Sequence, residues 1–323
     1  MSTAPATVDR CSVCDALVDV EDLFCANCGT EVPDHRHPQT KRLAIAARNF
    51  KCRGCGAAMN YDASAQSLKC PFCGSVDLAE DPNPGILAPE FVVPFAIDRG
   101  EAERCLRAWL GSSFWHPDDL RSAAQLTELR RVFVPFWVFN THVTTHWAAD
   151  IGKTPPGARA SWYPVAGYGE RDYADLWVPA GGGISVREIE AILPFDPSLG
   201  VEPDRVDLTD VVVEQFTTAR RYARPLAQAR LEALEARSIA EQFGGRTRNV
   251  HVNVLMGGAT SRAALAPAYV MAYRYRDRVY RFVLNGQNGR NTGTAPLSVW
   301  KIAGVVAFVV VILLLILLLA LRR

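Results

Sequence analysis

Charge of one sign is what this chain lacks. Lys plus Arg (35) nearly equal Asp plus Glu (34) in 323 residues. No segment hides a charged block: residues 1–80 carry 8 basic and 10 acidic side chains, residues 81–300 carry 24 of each, and the last 23 carry 3 and none. This excludes a polybasic nucleic-acid coat, and 49% apolar against 21% charged residues excludes wholesale disorder. Met1 to Arg10 has no apolar core, so the front is not read as a secretory signal. Phosphate-loop chemistry is missing too, because Gly181-Gly-Gly and Gly257-Gly lack both the strand-to-helix context and the lysine. No Ser/His/Asp or paired-carboxylate arrangement stands out, and the chain is expected not to be an enzyme. The enzymatic alternative is a site around His142, His146 and Asp150, spaced by four on one face of a predicted strand. A plain polar strand face is the preferred reading.

What is present limits function most at the end of the chain. Ile302 to Leu321 is an uncharged run of 20 residues dominated by Val, Leu and Ile, which at about 1.5 Å per residue spans the roughly 30 Å hydrocarbon core of a bilayer. Trp300 and Lys301 flank it on one side and Arg322 and Arg323 on the other, residues suited to the headgroup layer. The expectation is a single-pass, tail-anchored protein with a transmembrane helix at 300–321, its bulk in the cytoplasm and its anchor in the cell (inner) membrane.

Eight of nine cysteines form four C-x2-C pairs: Cys11 and Cys14, Cys25 and Cys28, Cys52 and Cys55, Cys70 and Cys73. Ten residues separate the first two pairs and 14 the second two, close to the spacing at which paired hairpins place four thiolates around a tetrahedral ion. Gly29, Gly54, Gly56 and Gly74 sit in or beside these knuckles, where the backbone turns tightly. Four thiolates leave no open position for a substrate, so both sites read as structural zinc, two Zn2+ per chain. Such binding is worth roughly 10–16 kcal/mol and amounts to each module's folding energy. Sequential pairing is preferred to a cross-braced one, because the 23 residues between Cys28 and Cys52 read as a linker. That linker holds the one basic run, Arg36, Lys41, Arg42 and Arg48, which Lys51 and Arg53 extend. It reads as a solvated segment, with contact to anionic lipid or nucleic acid as the functional alternative.

After the Pro-rich break at residues 81–89 the chain turns aromatic and β-rich. Asp98 and Glu101 form a capping pattern ahead of Ala102, Cys105, Leu106, Trp109 and Leu110 at helix spacing, which makes Cys105 an inert core thiol. Arg131 to Ile151 predicts a strand, and Trp162 to Val178 a hairpin about Gly167 to Arg171. Val211, Val212, Phe216 and Ala219 predict the start of a helix that Pro225 interrupts and Gly244 and Gly245 stop. Ala268–Tyr275 and Val279–Leu284 predict a hairpin. Val134-Pro-Phe-Trp-Val-Phe and Ala266-Pro-Ala-Tyr-Val-Met look alike, each placed to open an equivalent strand of a duplicated half. Strands and helices segregate, so the domain is expected to be α+β with an antiparallel sheet.

Phe50-Lys-Cys-Arg-Gly-Cys-Gly and Ser67-Leu-Lys-Cys-Pro-Phe-Cys-Gly, with Val134-Pro-Phe-Trp, Trp162-Tyr-Pro-Val, Leu176-Trp-Val-Pro-Ala and Tyr280-Arg-Phe-Val-Leu-Asn-Gly-Gln-Asn-Gly, carry a resemblance over about residues 50–301. The chain resembles a bacterial family of membrane-associated zinc-ribbon proteins, often labelled as primosomal-helicase-like for their knuckles. Helicase activity is not implied, since the chain lacks a Walker A lysine. Some relatives resemble partners of phage-shock and flotillin-like (SPFH) proteins, which implies an adaptor bringing proteins to the membrane in envelope stress. The front ribbon, ending Phe24-Cys-Ala-Asn-Cys-Gly, resembles the widespread stand-alone zinc ribbon.

The combined expectation is multidomain: zinc ribbon 1 at 1–32, a basic linker at 33–49, zinc ribbon 2 at 50–80, an α+β domain at 90–298, and the membrane helix. Its function is expected to be that of an adaptor or scaffold for protein partners. A membrane-tethered nucleic-acid-binding protein is the alternative, disfavoured by the acidic balance of residues 1–80.

Overall fold

The computed structural model describes residues 9–13, 17–18, 25, 30, 47–62, 69–80, 89–153, 161–207 and 211–321. At the front β1 (Asp9–Arg10) pairs antiparallel with β2 (Leu17–Val18). Next come β3 (Ala47–Cys52), β4 (Ala58–Asp62) and β5 (Leu78–Glu80), with β3 in the middle. Then β6 (Phe91–Val92), α1 (Arg99–Leu110), α2 (Leu120–Ala123), β7 (Gln125–Lys153) and β8 (Ser161–Pro179) follow. The rest is α3 (Val186–Ile192), β9 (Val212–Glu214), α4 (Arg220–Gln242), β10 (Thr247–Tyr275), β11 (Arg278–Asn285), β12 (Asn291–Gly293) and α5 (Val299–Leu321). β3 to β12 join in one sheet, antiparallel except where β6 meets β10 and β9 meets β7.

Two strands of 29 residues each, β7 and β10, form the spine, and the look-alike Pro motifs meet at its centre: Val134 pairs with Ala266. Around that point the structure repeats itself. Val132 and Phe133 pair in parallel with β9, while Ala264 and Leu265 pair in parallel with β6. Ala180 N–H donates to Pro135 O at 2.9 Å, and Gly286 N–H to Pro267 O at 2.8 Å. Ala180 O then accepts from Thr217 and Thr218, as Gly286 O accepts from Ala96 and Ile97. The aromatic residues of the two motifs also make equivalent bonds, Trp137 Nε1 donating to Thr218 O at 2.9 Å and Tyr269 Oη to Ile97 O at 2.8 Å. A strand–helix–strand–strand unit thus occurs twice, β6-α1-β7-β8 and β9-α4-β10-β11, about a pseudo-twofold axis through the sheet.

Strand alternation sends neighbouring side chains to opposite faces. One face takes both helices: α1 lays Ala102, Leu106 and Leu110 on Tyr269, Met271 and Phe282, and α4 lays Ala223, Ala227 and Leu231 on Trp137, Phe139 and Val254. α1 starts as its sequence predicts, with Asp98 Oδ1 accepting from Glu101 N–H at 2.7 Å, and Cys105 packs beside its core stripe. The other face buries Val134, Phe136, Val138, Ala266 and Val270 beneath Ile189 and Ile192 of α3 and Phe50, Met59 and Phe72 of the β3–β5 unit. That unit is built into the domain, since β4 pairs with β9 through Met59–Glu214 and Asn60–Val213.

Two local expectations are overturned. Trp162 to Val178 is one continuous strand, paired with β7 from Ser161 to Pro179. Gly167 leaves room for an indole and makes no turn: a Cβ there would lie 2.7 Å from the Trp147 ring. Val211 to Phe216 is not helical either, because Val212–Glu214 is the strand that joins β7 to β4. The helix opens only at Arg220 and runs through Pro225. Pro225 is exposed, so the carbonyl it leaves unbonded one turn back can meet water.

Candidate metal centre

Cys52 closes β3 and Cys55 follows in the turn before β4, while Cys70 and Cys73 lie in the turn ahead of β5. Both turns close identically. Cys52 N–H donates to Ala57 O and Gly56 N–H to Cys52 O, each at 2.9 Å; Cys70 N–H donates to Ser75 O and Gly74 N–H to Cys70 O, also at 2.9 Å. Gly56 and Gly74 take φ of +77° and +76°, left-handed backbone that glycine adopts without strain. All four sulfurs lie within 4.8 Å of one another. Cys52 Sγ is 3.5 Å from Cys73 Sγ, and Cys55 Sγ is 3.6 Å from Cys70 Sγ. A disulfide needs about 2.0 Å, whereas thiolates about 2.3 Å from a tetrahedral ion stand about 3.8 Å apart. The third and fourth pairs therefore share one site, in sequential order, and these residues can hold a metal ion.

The electrostatics point the same way. Burial pushes the Cys55 thiol up to about 11 and raises Cys70 further. Burial also opposes ionisation of Cys52, but the amides of Cys55 and Gly54 and the neighbouring thiols outweigh it and bring Cys52 down to about 7. Without a cation nearby, Cys55 and Cys70 keep their protons. A cation among the sulfurs favours their thiolates, which is why such sites release protons on loading.

At the front, Cys11 and Cys25 are buried. Val13 N–H points at Cys11 Sγ at 3.5 Å, and Cys25 N–H donates to Thr30 O at 2.7 Å, the same closure as at Cys52 and Cys70. Cys14 and Cys28 lie outside the described residues, as do Arg36, Lys41 and Arg42 of the basic run. Of the run's remainder, Lys51 is exposed and Arg53 pairs with Asp77 at 3.7 Å.

His142, His146 and Asp150 do share a face of β7, but they do not converge. Residues four apart along a strand are about 13 Å apart. His142 Nδ1 bonds Asp172 Oδ1 at 2.7 Å, His146 stands opposite Tyr168, and Asp150 pairs with Arg248 at 3.2 Å.

Sequence reasoning missed the group that fastens the metal-binding unit to the domain. Glu214, 1% exposed, accepts from Gly182 N–H at 2.7 Å and Gly183 N–H at 2.6 Å through one oxygen. Its other oxygen has no hydrogen-bond partner. Burial pushes its carboxyl up to about 7 against the pull of those amides and of Arg281. Arg281 in turn donates to Phe72 O at 2.9 Å and Gly183 O at 3.0 Å and pairs with Glu188 at 3.2 Å. The triple glycine is thus a packing loop. A Cβ on Gly183 would sit 2.6 Å from the Phe72 ring, and one on Gly181 2.4 Å from the Glu214 carboxyl. The only clue in the sequence was an acid closing the run Val211-Val-Val.

No protein-family model matches the chain, and no solved structure matches it. One curated relative is "Uncharacterized protein YdjG" of Bacillus subtilis (strain 168). The two are 23% identical over 315 residues, covering 79% of this chain and 92% of the relative. Because the match spans most of both chains, the relative shares more than a cysteine knuckle.

Proposed function

We propose that this chain is a zinc-ribbon adaptor, held at the cell (inner) membrane by α5 with its bulk in the cytoplasm, that binds protein partners there and has no catalytic role. The observation that carries this reading is the closed donor set. Cys52, Cys55, Cys70 and Cys73 can fill all four corners of a tetrahedron, so an ion held there has no open position for a substrate. The same unit packs Phe50, Met59 and Phe72 into the domain core, as a structural support would. Two Zn2+ per chain belong to this reading, the second on Cys11, Cys14, Cys25 and Cys28. The partners implied by the family resemblance are phage-shock or SPFH-type proteins, and the setting is envelope stress.

The test is a pull-down of the full chain from detergent-solubilised membranes, with zinc measured on the same preparation. A defined set of co-purifying proteins and two zinc ions per chain are expected. Cys52→Ser should halve the zinc and lose partners that the wild type retains. Submicromolar, salt-sensitive binding of DNA by the full chain, with no protein retained, would replace the adaptor with the nucleic-acid reading.

A further inference from the structure

The loop between α1 and α2 carries two aromatic side chains to the surface, Phe114 at 64% and Trp115 at 41% exposure. Large rings left in water on an otherwise ordered turn ask for a partner. This turn is held from both sides. On the domain side, His116 is buried, its Nδ1 lies 2.9 Å from Leu110 O, and its ring meets Trp109 edge-on at 5.5 Å. On the other side it grips the root of α5. Ser298 N–H donates to Trp115 O at 2.8 Å, Lys301 Nζ donates to His116 O at 2.9 Å and to Asp118, and the Lys301 ammonium lies 5.2 Å from the Phe114 ring centre.

These contacts fix the depth of the loop relative to the apolar helix. Ser298 precedes Ile302, the first residue of the uncharged run, by four residues, or about 6 Å of helix axis. The headgroup layer on each side of a hydrocarbon core is also roughly 5–8 Å thick. A helix that crosses the bilayer therefore places Phe114 and Trp115 within that layer, where amphipathic rings are most favourable. Leu297, Val299 and Trp300, exposed at 59%, 75% and 88%, stand at the same level. Lys301 and Asp118 leave the layer a charged pair in place of a buried lone ammonium.

We propose that the loop 112–118 is a membrane-docking element: Phe114 and Trp115 enter the lipid headgroup layer beside α5 and hold the domain at a fixed attitude to the bilayer. Its occupant is lipid. The proposal rests on the reading of α5 as a membrane span.

The experiment uses the full chain in phospholipid vesicles, with Trp fluorescence quenched by lipids brominated just below the headgroups or by aqueous iodide. Trp115→Phe should remove roughly half of the lipid-quenchable emission, since Trp115 and Trp300 are the two exposed indoles at that depth. Trp162→Phe, on the exposed part of β8, should remove none of it. If Trp115→Phe leaves lipid quenching unchanged while the protein resists alkaline carbonate, the docking proposal falls and the span stands. Release by carbonate would overturn both. Protection of Trp115 from lipid and iodide alike would place a second copy of the chain on the loop and overturn the assignment to lipid.

Discussion

Glu214 is an acid set among surroundings that oppose its charge. The equivalent place in the other half of the duplicated sheet is the buried, apolar Val93, ahead of α1 as Glu214 is ahead of α4. An acid raised to about 7 by burial keeps its proton in the folded chain at pH values where the unfolded chain has lost it. Below the ordinary carboxylate range both states are protonated and the group is neutral to stability. From there to about pH 7 stability falls as pH rises, and above that the full penalty, on the order of 3 kcal/mol, persists. Glu214→Gln keeps an oxygen for the Gly182 and Gly183 amides and cannot ionise. Its unfolding midpoint should gain on that of the wild type between pH 5 and 8, with the gap closing on the acid side. Both proteins carry the same cysteines, so loss of metal at low pH cancels in the comparison. A gap that does not change with pH would mean that Glu214 is ionised throughout. This residue was illegible in the sequence because nothing local separates a buried acid at a strand end from a solvated one; its burial comes from β4 and the 181–183 loop, which the chain brings from far away.

At the scale of elements, the loop between β8 and α3 decides whether the metal-binding unit stays seated. Gly183→Ala would drive a methyl into the Phe72 ring, and overpacking of this kind costs about 1–3 kcal/mol. Gly182→Ala is the control, since a Cβ there meets nothing within 4 Å. The first variant should lower the unfolding midpoint and speed loss of metal to a chelator, and the second should do neither; equal behaviour would show that Phe72 yields without cost. Other elements could be read directly: α5 from its unbroken apolar run, α1 from Asp98 and its apolar spacing, and the β10–β11 hairpin, whose turn at Arg276 takes φ of +52°. The duplication was visible in two six-residue motifs, because Trp137 and Tyr269 carry equivalent hydrogen bonds and so keep a recognisable pattern. What failed were positions whose residue type answers to a distant neighbour. Gly167 makes room for Trp147, and Val212 is a strand residue because β7 and β4 lie on either side of β9. The expectation that each ribbon folds on its own ion meets the same limit, since Cys52, Cys70 and Phe72 belong to the central core cluster.

For the whole molecule, the metal-binding unit and the apolar helix are attached through opposite halves of the pseudo-twofold. The unit joins β9, which opens the second half, and α5 is rooted on the loop after α1, which belongs to the first. α5 differs from every other helix in what it buries: each described side chain from Ile302 to Leu321 is exposed, so the domain core asks nothing of that stretch. Removing residues 302–323 while keeping Ser298 and Lys301 should therefore leave the fold and the Cys52–Cys73 metal site intact and turn a membrane-bound protein into a soluble one. The check is fractionation of cells producing each form, followed by metal analysis of both. If residues 1–300 face the cytoplasm, protease outside intact spheroplasts should leave the front of the full chain whole, and lysis should expose it. Cleavage of the front in intact spheroplasts would reverse the orientation, and a truncated form that still sediments with membranes would show that something other than α5 holds the chain there.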